Sequence, residues 1–323
     1  VPSNDQRFCP ADSSQVPRYA GPVSFFRLPQ IDDPARVDVA VVGVPWDGGT
    51  TNRPGARHGP REVRAQSMMI RPYHHVTRRS PYDVCRVADL GDSPVNPVDL
   101  EDSLRRIESF QAALHAAGAA PLSVGGDHLV TLPVLRAIAR DAPVGLVQFD
   151  AHSDINDVYF GGSRFTHGTV FRRAIEEGLV DPQRTIQIGI RGSRYSPKGG
   201  DFAAETGIRV LTIEDVFEIG VAGIVAEVHR VVGSAPAYLT FDVDALDPVY
   251  APGTGTPEVG GMTTHMAQAV VRGLGGLDLV GADVVEVAPP FDVNGATALV
   301  GATLAFEILC VLAEARARTR PSG

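Results

Sequence analysis

Four apolar segments limit how this chain can fold, because each carries an acid or an imidazole to its C-terminal end or just beyond it. Pro121–Val124 leads into Gly125-Gly126-Asp127-His128, and Val144–Phe149 into Asp150-Ala151-His152-Ser153-Asp154. Ala237–Thr240 leads into Phe241-Asp242-Val243-Asp244, and Leu277–Val287 contains Asp283 and Glu286. Between such segments the spacing turns helical, as with Leu104, Ile107, Phe110 and Leu114 in Leu100–Ala117, which Gly118 stops. Strands alternating with helices predict a mostly parallel sheet covered on both faces, a three-layer α/β/α domain. Ligands of open parallel sheets bind outside the carboxyl ends of the strands, so His128, Asp150, Asp242 and Glu286 are expected to converge there.

The rest of the chain extends the same alternation. Further strands are expected at Val37–Val44, Cys85–Leu90, Thr185–Ile190 and Ile208–Ile213. Further helices are expected at Arg61–Met69, opened by Pro60, and at Leu129–Ala139, Val170–Glu177, Asp215–Val232, Thr264–Leu274 and Ala296–Ala317. Val1–Pro34, rich in Pro, Ser and Asp, reads as an irregular arm laid over one α/β domain spanning residues 35–320.

Composition excludes several classes of function. At 323 residues and 44% hydrophobic content the chain can bury a large core. No uninterrupted apolar run reaches the length of a membrane span, and Val1–Tyr19 lacks the basic and apolar regions of a signal peptide, which predicts a cytoplasmic protein away from membranes. Cys9, Cys85 and Cys310 are odd in number and far apart, which argues against a disulfide framework or a cysteine metal cluster. A net charge of −9 without a basic block disfavours nucleic acid as a partner.

Spacing within the acidic motifs points to metal. Side chains two apart on an extended segment share a face, so Asp150 pairs with His152 and Asp242 with Asp244. Taken alone, Asp-x-Asp is common in turns, and a lone His128 reads as a hydrogen-bonded core residue. Together, acids and imidazoles at one sheet edge repel and desolvate one another unless a cation compensates. His167 on spacing alone reads as a surface residue, and Glu286 in an apolar strand requires a cationic partner or a solvent-filled cleft.

The motifs GGDH (Gly125–His128), DAHSD (Asp150–Asp154), HGT (His167–Thr169), FDVDALDP (Phe241–Pro248), APGTGTPEVGG (Ala251–Gly261) and VVEVAPPFD (Val284–Asp292) resemble the signature set of the ureohydrolases, the arginase and agmatinase family. The resemblance runs from about Pro17 to the C-terminal helix. It is nearest the bacterial branch that hydrolyses guanidino acids, through GVPWDGGTTNRPGARHGPREVR (Gly43–Arg64) and GADVVEVAPPFD (Gly281–Asp292). It implies an arginase-like fold and a pair of divalent ions, manganese foremost, with nickel, cobalt or zinc admitted by the same donors. One ion would be held by His128, Asp150, Asp154 and Asp242, the other by Asp150, His152, Asp242 and Asp244. Two such ions, about 3.5–4 Å apart, hold a hydroxide for attack on the guanidinium carbon, releasing urea and an amine. Glu286 would hold the planar guanidinium, Asp154 orient the hydroxide, and His167 pass a proton to the departing amine.

Substrate choice is assigned to the loop after the metal motif, with Asn156, Tyr159 and Arg164, together with Trp46-Asp47 and Thr50–Arg57. Arg164 reads equally as a partner for a substrate carboxylate or as a solvated charge. Guanidinopropionate or guanidinobutyrate leads, with agmatine, guanidine and biguanides open. Two other readings stay in view: a mononuclear zinc amidohydrolase of deacetylase type, and a non-catalytic subunit of a hetero-oligomer. The family resemblance also implies a homo-oligomer, trimer or hexamer, with a partner of related sequence left open.

Overall fold

The computed structural model describes residues 8–194 and 201–319. The strands are β1 (Val39–Val44), β2 (Val87–Asp92), β3 (Ala120–Gly125), β4 (Val144–Phe149), β5 (Val180–Ile190), β6 (Arg209–Thr212), β7 (Ala237–Asp242) and β8 (Leu279–Val285). They form one eight-stranded sheet in the order β2-β1-β3-β8-β7-β4-β5-β6. Every pairing is parallel. All residues of β1, β3, β4 and β7 are buried, the pattern of strands covered on both faces rather than one.

The helices that cover it are α1 (Gly59–Ser67), α2 (Leu100–Ala116), α3 (Thr131–Ile138), α4 (Val170–Glu176), α5 (Asp201–Thr206), α6 (Ile213–Val232), α7 (Thr264–Gly273) and α8 (Ala296–Thr319). On one face α1, α8, α7 and α6 pack in succession, and on the other α2, α3 and α4 do so. Local chemistry sets their starts: α2 begins at Leu100 as expected, whereas α6 begins at Ile213, two residues before the expected Asp215. Asp99 caps α2 by accepting from Asp102 N–H at 2.9 Å, and Thr212 with Asp215 forms a reciprocal capping box on α6. α8 is apolar and long enough to cross a membrane by composition, but 72% of its most apolar stretch is buried against the sheet and its neighbours, as befits a core helix.

Some expectations shift. The N-terminal arm is more than a cover: Phe25 and Phe26 are at most 1% exposed and belong to the main core, with the Phe26 ring tilted against Phe306 of α8 at 6.0 Å. Phe26 and Arg27 take left-handed backbone conformations where the arm turns. β5 begins at Val180 rather than Thr185, and the segment after Asp127 opens as a 3-10 turn, His128–Val130, before α3. The short α5 escaped the periodicity reading because six residues barely complete a helical repeat. β8 ends at Val285, so Glu286 is not a strand residue; its φ of +64° breaks the extended run.

The strand order explains the convergence of motifs. β3, β8, β7 and β4 are neighbours at the centre of the sheet, so the loops bearing His128, Glu286, Asp242 and Asp150 emerge side by side. Gly126 lets the first of these loops pass the β1 loop, since a side chain there would overlap the Trp46 carbonyl oxygen. Gly126→Ala is therefore expected to destabilise the protein by about 3 kcal/mol, as overpacking of a closed core does, and thermal unfolding would measure it.

Candidate functional site

β3 and its following turn bury His128 completely, and the two ring nitrogens have different surroundings. Nε2 lies 2.8 Å from the Thr240 hydroxyl, which itself donates to Asp283 Oδ1 at 2.5 Å. With its hydrogen committed to Asp283, that hydroxyl can only accept from Nε2–H, so in the neutral ring Nδ1 presents a lone pair. Asp283 is anchored by two more hydroxyls, Thr131 at 2.7 Å and Tyr238 at 2.8 Å.

Nδ1 of His128 has no hydrogen-bond partner, yet it lies 3.1 Å from Asp150 Oδ2, 3.1 Å from Asp154 Oδ2 and 3.3 Å from Asp242 Oδ2. A lone pair facing three carboxylates is tolerable only with positive charge among them. A second group adjoins the first through Asp150: His152 Nδ1 is 3.0 Å from Asp244 Oδ2 and 3.6 Å from Asp150 Oδ1. In each triad, His128–Asp150–Asp242 and Asp150–His152–Asp244, one ligand atom per residue lies within 4.8 Å of the others. Imidazole and carboxylate oxygen are donors that suit manganese and its neighbours, so the residues present fit a pair of divalent cations.

Backbone contacts aim these donors. Asp150 Oδ1 accepts from His152 N–H at 2.6 Å, Asp242 Oδ1 from Asp244 N–H at 2.8 Å, and Asp244 Oδ1 from Ala151 N–H at 3.0 Å. Gln148, two residues before Asp150 on the same face of β4, donates to Asp150 Oδ2 at 2.8 Å. Without bound cations the cluster is electrostatically strained. Burial, then Asp150, push the Asp154 carboxyl up to about 6; burial, then Asp244 and Asp150, push Asp242 well above the usual range. Burial alone would lower His128, but Asp150, Asp154 and Asp242 outweigh it and raise its pKa well above 6.5.

His167 and Glu286 form the adjoining pair. His167 is only 7% exposed, contrary to its surface reading, and its Nδ1 meets Glu286 Oε1 at 2.7 Å. Burial would lower the imidazole, but Glu286, then Asp154 and Asp127, raise it to about 9. Glu286 Oε1 also accepts from His128 N–H at 3.0 Å, whereas Oε2 is buried with no partner. The cation that Glu286 was expected to need is thus partly supplied by His167, and one oxygen is left over.

A cavity of about 1150 Å³ opens over the cluster, walled by His152, Asp154, Asp242 and His167 on the metal side. Asn156, Tyr159 and Phe160 of the following loop line it, as do Thr51, Asn52 and Arg53. Asn156 Nδ2 donates to the Tyr159 hydroxyl at 2.9 Å, fixing the ring across Gly168. Arg164 stands outside this wall, ion-paired to Glu176 at 2.9 Å on α4, because that carboxylate is the nearer partner. Trp46 and Asp47 are buried beneath the loop rather than facing the cavity, with Asp47 binding Arg57. Sequence spacing missed Thr240, two residues before Asp242 on the same strand face; its period-two position was the available signal.

A model described as the arginase family matches residues 37–311. The chain is 66% identical to a guanidinopropionase of Pseudomonas aeruginosa over 96% of this chain and 98% of that protein. It is 47% identical to a guanidinobutyrase of the same organism over 94% of this chain and 96% of that one. Among solved structures, proclavaminate amidino hydrolase from Streptomyces clavuligerus superposes with a TM-score of 0.89 at 40% identity, covering 93% of this chain and 99% of that one.

Two outcomes follow from the cluster. Thr240→Val frees the His128 ring and is expected to weaken divalent-ion affinity about 10–100-fold, read by metal titration of the folded variant. Asp154, Asp242, His128 and His152 all hold protons more tightly in the metal-free fold than when unfolded. Stability from such groups is present when they are protonated and lost as pH rises through their folded pKa values. The metal-free protein should therefore lose stability from about pH 4 upward, through Asp154 near 6 and on past the ordinary histidine value of 6.5, in thermal melts that added manganese flattens.

Proposed function

The chain belongs to the arginase family, and from that premise we propose that it hydrolyses a small guanidino acid, 3-guanidinopropionate or 4-guanidinobutyrate, to urea and an amine. The single observation that carries the reading is His128 Nδ1, left facing the cluster by the Thr240 contact on Nε2 and met there by three buried carboxylates, a donor arrangement suited to a cation. Guanidino acids lead because relatives at 66% and 47% identity bear the names guanidinopropionase and guanidinobutyrase.

His128, Asp150, Asp154 and Asp242 would hold one divalent ion, and Asp150, His152, Asp242 and Asp244 the other, manganese foremost. When bound, the pair supplies a water-derived nucleophile at neutral pH and Lewis acidity. The protein's own groups do the rest. Glu286 Oε2, lacking any partner, is the acceptor for a guanidinium N–H, and holding that planar group fixes its carbon toward the cluster. Asp154 accepts from and orients the attacking water. His167, its Nδ1 on Glu286, delivers a proton to the departing amine.

Arg53 lines the cavity, binds the Thr254 and Gly255 carbonyls and stacks on Phe291, with no carboxylate in ion-pair range among the described residues. An unpaired guanidinium at the cavity supports a substrate that ends in an acid rather than an amine. Tyr159 and Asn156 narrow the mouth and favour a short chain. The proposal extends to a homo-oligomer, trimer or hexamer, which light scattering would test.

Urea release by the manganese-loaded protein should be greatest with guanidino acids of three or four carbons and lower with agmatine, guanidine and biguanides; equal release from agmatine would overturn the substrate assignment. His167→Ala should lower kcat by about 10²–10⁴-fold while metal content stays at the wild-type level. Loss of metal along with activity would assign that histidine a structural role instead.

A further inference from the structure

Both ring nitrogens of His167 are engaged, and the second partner is a side chain that the reaction above leaves idle. Nδ1 meets Glu286, while Nε2 faces Thr51, whose backbone N–H lies at 3.1 Å and whose hydroxyl oxygen lies at 2.7 Å. A backbone N–H can only donate, so Nε2 offers it a lone pair, which places the ring hydrogen of neutral His167 on Nδ1, toward Glu286. The hydroxyl differs from the N–H. It donates to Nε2 when the ring is neutral and, rotated about its C–O bond, accepts from Nε2–H when the ring is protonated.

The loop bearing Thr51 is itself held in place. His167 N–H donates to the Gly49 carbonyl at 2.9 Å, and Gly49 N–H donates to buried Asp127 Oδ2 at 2.6 Å. Asp127 immediately precedes His128 and also accepts from Leu129 N–H at 3.0 Å. The segment 49–51 thus grips His167 by its backbone and its ring, and is tied to the turn that carries His128. Thr51 is half-buried and lines the cavity, as His167 does.

We propose that Thr51 is a positioning residue for proton transfer by His167, its hydroxyl reversing from donor to acceptor so that the imidazole gains and loses a proton without leaving Glu286. The inference rests on the role proposed for His167 above. The proton balance is simple. The hydrogen gained at Nε2 comes from the attacking water and is given to the departing amine; Nδ1 keeps its own hydrogen on Glu286, and the threonine oxygen only accepts from Nε2–H until the amine takes that hydrogen, so the hydroxyl keeps its own throughout.

The test compares manganese-loaded wild type with Thr51→Val, Thr51→Ser, His167→Ala and the Thr51→Val/His167→Ala double variant, using the guanidino acid that wild type hydrolyses. Valine keeps the shape and the backbone N–H but removes the hydroxyl; serine restores it. Thr51→Val should lower kcat at least about 10-fold with KM nearly unchanged, Thr51→Ser should stay near wild type, and valine should cost almost nothing further once His167 is gone. The inference is overturned if Thr51→Val is fully active, if serine fails to rescue, if the change lies in KM alone, or if the two losses multiply. Should wild type release no urea, the proposed reaction fails by itself, and crystal structures of wild type and Thr51→Val decide the inference: a His167 ring turned away from Glu286 in the variant supports it, and an unmoved ring overturns it.

Discussion

Buried negative charge is the constraint on which this structure depends. Asp150, Asp154, Asp242 and Asp244 are at most 6% exposed and gather around two imidazoles, His128 and His152, with His167 close to Asp154. Taking carboxylates out of water is costly unless countercharge and hydrogen bonds replace the solvent. Part of that replacement is visible in the backbone N–H groups of Ala151, His152 and Asp244. The remainder is the positive charge that the proposed cations would bring.

The parallel sheet makes such a cluster possible because it is stiff where the loops are irregular. Four adjacent central strands hold the loop origins in register, while the loops themselves adopt conformations ordinary chain segments avoid. Asp154 at φ +53° and Glu286 at φ +64° are left-handed, a conformation that disfavours side chains. Each is pinned by a backbone hydrogen bond, Phe171 N–H to the Asp154 carbonyl at 3.0 Å and Glu286 N–H to the Gly126 carbonyl at 2.8 Å. The strain turns both carboxylates inward. For Glu286 it also explains why a residue that reads as part of a strand faces His167 instead of lying in the sheet.

A second layer of polar contacts links parts that look unrelated. Asp283 gathers hydroxyls from Thr131, Tyr238 and Thr240, and through Thr240 sets which nitrogen of His128 carries hydrogen. Asp127 does a comparable service for His167 by way of Gly49. Both are wholly buried carboxylates outside the proposed ligand set, and each acts by orienting a histidine. The proposed chemistry thus draws on more acids than the ones that would meet the ions.

Much of this was legible in the linear chain. Continuous apolar runs such as Val39–Val44 and Val144–Phe149 mark strands buried on both faces, and acids two apart mark a shared face, because those periodicities belong to the backbone itself. The helix starts at Asp99 and Thr212 were likewise local, being matters of hydrogen bonding within a few residues. What the tertiary structure alone decided was which groups meet: that Arg164 turns to Glu176, that Phe25 and Phe26 enter the core, that His167 is buried on Glu286, and that Thr51 reaches its other nitrogen. Those contacts join residues far apart in the chain, and the distance between two side chains depends on sheet order and loop path, which no local pattern of residues encodes.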